Sequence, residues 1–173
     1  ELSYRTVMWE FLDTDESTFA NSSIFLKRLC GSVSRELGFS PRQVTEFWDE
    51  ELFGPKENST EYLEKYILSK IETPLFMGLD ELDGLFPYEA VAKEFLMLLR
   101  SWNGKSKVNK TWSKLKLAIA HSTESYIVLD SNVSPFNVGL AVELPEFTAA
   151  QVLELVEKHG LSWSSTEVDD LMV

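Results

Sequence analysis

Cysteine occurs once, at Cys30, and histidine twice, at His121 and His159. A single thiol cannot close an internal disulfide, and two distant histidines offer none of the paired spacings of a zinc site. That usage fits a reducing cytoplasm. Uninterrupted apolar runs reach only five residues, Phe95 to Leu99, against the roughly 20 that a membrane-spanning helix needs, so no membrane association is expected. Basic residues are scarce: 16 Lys and Arg stand against 28 Asp and Glu, a formal net charge of -12. Such a field repels phosphate backbones and argues against direct nucleic-acid binding. Glycine is confined to eight scattered positions, and the phosphate-loop pattern G-x-x-x-x-G-K-[ST] does not occur. Gly104-Lys105-Ser106 imitates its end, but Leu99 stands where the first Gly is required and the preceding run is helical, so the segment reads as a solvated basic loop. There is no G-x-S-x-G elbow, and Cys30 lies inside an apolar helical stripe, where packing is its expected role.

What remains is a chain of 173 residues that is 44% apolar and 12% aromatic, enough for one core that removes about 70% of the unfolded surface from water. Strand-like and helix-like runs alternate, the signature of a parallel sheet with helices on its faces. Tyr4 to Phe11 (YRTVMWEF) reads as the first strand. Leu26, Leu29, Cys30, Val33 and Leu37 then keep helical spacing until Gly38. Ser40-Pro41 predicts a short helix to about Trp48 with Gln43 in a capping box, and Asn58 with Glu61 predicts the cap of a helix over 61–71. Leu75 to Leu79 (LFMGL) lacks polar alternation, as expected for a strand covered on both faces. Pro87 opens a helix to about Trp102; Leu115 to Ala120 and Leu140 to Leu144 read as the third and fourth strands. Thr148 with Gln151 and Ser164 with Glu167 predict capping boxes for helices over 149–159 and from 165 onward.

The strongest chemical signal is the acid run that ends the second strand, Asp80-Glu81-Leu82-Asp83. A buried parallel strand delivers its terminal side chains to the carboxyl edge of the sheet, where α/β proteins bind ligands. In nucleotidases of the additional-strand type an Asp there holds the Mg²⁺ shell and the following Glu orients or deprotonates water. Asp80 and Glu81 occupy those two positions; Asp83 is a further acid in the run. The alternative is that these acids merely leave the sheet and start the next helix. His121, Ser122 and Thr123 end the third strand, where such enzymes place a polar group that senses the γ-phosphate; an ordinary hydroxyl-rich turn is the alternative there.

The runs PLFMGLDELDGLFPYEAVAKEFLMLLRSW, LKLAIAHSTESYIVLD and SPFNVGLAVELPEFTAAQVLELVEKHGLSW, with YRTVMWEF and LKRLCGSVSRELG before them, resemble the AAA-like domain family over nearly the whole chain. The resemblance implies a P-loop nucleotidase related to STAND-type signalling ATPases of bacterial multidomain proteins. ATP and Mg²⁺ are the implied cofactors, and the bound nucleotide works as a conformational switch. By position, Asp80 resembles the Walker B metal-shell acid and Glu81 the catalytic acid; Ser122 and Thr123 resemble the sensor group. The implied fold is an α/β parallel sheet of order 5-1-4-3-2 with helices on both faces. Residues 1–147 correspond to a core lacking strand 1 and its Walker A loop, and 148–173 to the start of a helical lid. A piece of that kind is expected to bind nucleotide poorly alone, because no loop amides or Lys charge face the phosphates. Its third strand then becomes an exposed edge unless LAVEL closes onto it, which predicts self-association. The implied partners are other domains of the same polypeptide. The rival reading is an interaction module that keeps the fold without catalysis, and an origin-type ATPase acting on DNA fits the acidity poorly.

Overall fold

The computed structural model describes residues 3–122 and 138–172. Three six- or five-residue strands form the sheet: β1 (Arg5–Glu10), β2 (Leu75–Asp80) and β3 (Leu115–Ile119). They lie in the order β1-β2-β3, all parallel, with Val7 opposite Met77 and Met77 opposite Leu117. Three of the four expected strands therefore form and are neighbours as anticipated. Leu140 to Leu144 does not form a strand, and Leu140, Val142 and Leu144 are exposed; without a partner ladder, alternation of apolar residues does not hold a strand.

The helices follow the strands in alternation. They are α1 (Ser22–Glu36), α2 (Arg42–Phe47), α3 (Pro55–Tyr62) and α4 (Glu89–Val108). Asn21 caps α1 by accepting from the Ile24 N–H, and Gly38 turns the chain out at φ 79°. At α2 the expected capping box is absent, since Pro41 is the N-cap and Gln43 pairs with Glu46 instead. Helix α3 starts at Pro55, earlier than expected, and continues as a π-type segment through Leu63–Leu68. Asn58 therefore lies inside the helix, where its amide binds the carbonyls of Asp49, Phe53 and Gly54 and its oxygen accepts the Asp49 N–H. Helix α4 runs past Trp102 and absorbs Gly104-Lys105-Ser106, so this segment is helix and not a loop. Buried Trp102 packs on Trp112, with Lys105 over the Trp112 ring and two lysines at the helix's negative end.

The core sits against one face of the sheet. Val7, Trp9 and Phe11 project toward Phe25 of α1 and Phe95 of α4, whose rings meet edge to face at 4.9 Å. On the other face Met8 is 49% and Phe76 36% exposed. Within residues 3–122 the helices thus cover one face rather than both, and β2 carries Leu75, Met77 and Leu79 inward while Phe76 faces out. The chain divides into two compact units, Glu1–Gly139 and Leu140–Val173. The second holds α5 (Ala149–Lys158) and α6 (Ser165–Leu171), with both expected capping boxes, Thr148 with Gln151 and Ser164 with Glu167.

Candidate functional site

Parallel pairing in register brings the strand ends to one edge: Glu10 is opposite Asp80, and Leu79 opposite Ile119. Three backbone bonds knit that edge beyond the strands. Phe11 N–H donates to the Asp80 carbonyl at 3.2 Å, Ala120 N–H to the Leu79 carbonyl at 2.9 Å, and Leu82 N–H to the Ala120 carbonyl at 3.1 Å. The chain leaves β2 sharply. Glu81 adopts φ 53° and ψ 44°, the one left-handed residue other than glycine among the described residues. A short 3₁₀ turn, Leu82–Leu85, follows and is pinned by Leu82 and Leu85, both fully buried.

Local bonds hold Glu81 in this conformation. Its N–H donates to the Asp80 carboxylate at 3.0 Å, and its carbonyl accepts from Gly84 at 2.9 Å. A Cβ on Gly84 would meet Phe11 and Leu12 at 3.2 Å, so a larger residue there makes these neighbours give by a few tenths of an ångström. Asp80 is half-buried and Glu81 exposed. Lost hydration at the sheet edge pushes the Glu81 carboxyl above its ordinary range, and the negative charges of Asp80, Glu10, Asp13 and Asp83 add to the effect.

Asp80, Glu81 and Ser122 meet at one edge, and Asp83 is the residue that joins them. Its Oδ1 accepts the Ser122 N–H at 3.2 Å. His121 Nδ1 lies 2.9 Å from the Ser122 carbonyl. Thr123 lies outside the described residues. Glu10 and Asp13 were not legible as part of the site in the acid run itself; aligning the carboxyl ends of the first two strands would have found Glu10. A groove of about 610 Å³ continues from Glu10 and Asp13 between β1 and α1, where Arg28 donates to the hydroxyls of Ser17 and Thr18.

Hard carboxylate oxygens are the donor type Mg²⁺ prefers, but among the described residues no three His, Cys, Asp or Glu side chains are grouped to hold a metal ion. Asp80 and Glu81 do not by themselves make a self-sufficient cage for an ion. A family model described as an AAA-like domain matches residues 1–173. The chain belongs to the AAA-like domain family. No curated protein and no solved structure matches it. In this AAA-like domain the acid run therefore stands at the carboxyl edge of a parallel α/β sheet, beside the backbone that ends the neighbouring strand. No helix among the described residues is long and apolar enough to cross a membrane.

Proposed function

We propose that this AAA-like domain is a nucleotide-binding module of a larger regulatory protein, in which ATP with Mg²⁺ acts as a conformational switch on attached domains. The observation that carries the reading is the Asp80-Glu81 pair at the end of β2, in register with Glu10 and bonded through Asp83 to the end of β3. Asp80, half-buried and fixed by the Glu81 N–H, is suited to hold the hydration shell of Mg²⁺; bound there, the ion would neutralise phosphate charge. Glu81 is exposed, and its raised proton affinity suits it to orient a water molecule and accept its proton. The Ser122 hydroxyl, with Thr123 beyond it, is the sensor candidate for the γ-phosphate. No phosphate loop occurs among the 173 residues, so the phosphates need backbone amides and a Lys from outside them. Titration of the intact gene product with ATP and Mg²⁺ tests the reading. Saturable micromolar binding supports it; no binding favours a fold-retaining interaction module.

A further inference from the structure

We infer that Asp83 is a positioning residue that latches the turn carrying Glu81 to the end of β3, so that movement of the 120–122 backbone moves the Glu81 carboxylate. Among the described residues these bonds cross between the two segments. One is backbone to backbone, from Leu82 N–H to the Ala120 carbonyl, and any residue could make it. Another depends on a side chain, from Ser122 N–H to Asp83 Oδ1 across 39 positions of sequence. A carboxylate accepting an amide N–H is stronger than a neutral pair and holds direction as well as distance. Glu81 immediately precedes the latched turn in a left-handed conformation that costs a residue with a side chain about 1–2 kcal/mol and persists only where its surroundings fix it. Its own N–H and carbonyl are fixed within the turn, by Asp80 and Gly84. What fixes the turn to the neighbouring strand by a side chain is Asp83.

The consequence for hydrolysis rests on the nucleotide-switch reading; the latch itself does not. The test compares Asp83→Ala, which deletes the acceptor, with Asp83→Asn, which keeps an oxygen acceptor and removes the charge. In nuclear magnetic resonance spectra of the full chain, the wild-type Ser122 amide is expected to exchange with solvent slowly, held by the Asp83 carboxylate. Asp83→Asn keeps most of that protection; Asp83→Ala raises the Ser122 exchange rate by about tenfold or more and shifts the Glu81 signals. In the intact gene product, Asp83→Ala lowers kcat by about tenfold or more, with the KM for ATP within about threefold, and Asp83→Asn restores most of it. A wild-type Ser122 amide that exchanges as fast as an unprotected one overturns the latch, also where Asp83→Ala does not fold. Unchanged kcat with altered spectra overturns its role in hydrolysis. If wild type neither binds nor hydrolyses ATP, the switch reading fails while the spectra still decide the latch.

Discussion

The thioether of Met8 fills the space that a Cβ on Gly78 would need, the two residues being directly paired across β1 and β2. Glycine inside a strand ordinarily weakens it by about 0.5–1 kcal/mol relative to alanine. Here the gain from alanine is offset by displacement of the sulfur. Because the displaced atoms are the far end of a flexible, exposed side chain, Gly78→Ala is expected to be near neutral in wild type and stabilising by about 0.5–1 kcal/mol in a Met8→Ala background. A denaturant double-mutant cycle measures the difference as a coupling of about 0.5–1 kcal/mol.

Glu81 combines two unfavourable features, a left-handed backbone and a carboxyl whose proton affinity is raised in the fold. For an acid with a raised folded value, the native state holds more protons than the unfolded chain across the window between the two values. Stability then falls as pH rises from the ordinary carboxylate range through the folded value. Glu81→Gln should raise the melting temperature at pH 7, and the difference should vanish below the ordinary carboxylate range. Glu81→Gly should add about 1 kcal/mol by relieving the backbone. Melting curves between pH 3.5 and about 8 check both, using the range in which carboxylates and their perturbed forms titrate.

The parallel α/β arrangement was readable because β1, β2 and β3 are dense in apolar residues and punctuated by Gly38, Pro74 and Asp80. The capping boxes at Thr148 and Ser164 were readable because both bonds are local. The misreadings came where a distant contact decided the matter. Asn58 has the sequence of a cap, but its amide closes the loop over residues 49–54 from inside α3. Leu140 to Leu144 alternates like a strand yet pairs with none of the described strands. Gly104 did not stop α4, because the contacts of Trp102 and Lys105 with Trp112 carry the helix onward. At the site, the positions of Asp80 and Glu81 were legible, whereas the Asp83 bond and the charges of Glu10 and Asp13 depend on register.

Asn58 is 3% exposed and satisfies four backbone groups of residues 49–54. Asn58→Ala removes the partner of the Asp49 N–H and of the Phe53 carbonyl, while the Asp49 and Gly54 carbonyls keep backbone donors, and should cost about 2–3 kcal/mol in urea unfolding. Asn58→Asp keeps one acceptor, loses the amide donors and should cost at least as much.

Cys30 is fully buried, and burial pushes its thiol proton affinity upward. The native protein should leave a thiol-specific chromogenic reagent unreacted at pH 8, and one equivalent should appear after denaturation. Fast native labelling would mean that α1 opens readily.

The most direct measurement of the nucleotide-switch account is steady-state ATP hydrolysis by the intact gene product with Glu81→Gln against wild type, alongside equilibrium ATP binding. The account predicts that the variant binds ATP within about threefold of wild type and hydrolyses it at least about a hundredfold more slowly, the scale of a lost general base. Equal hydrolysis by both, or binding by neither, would contradict it.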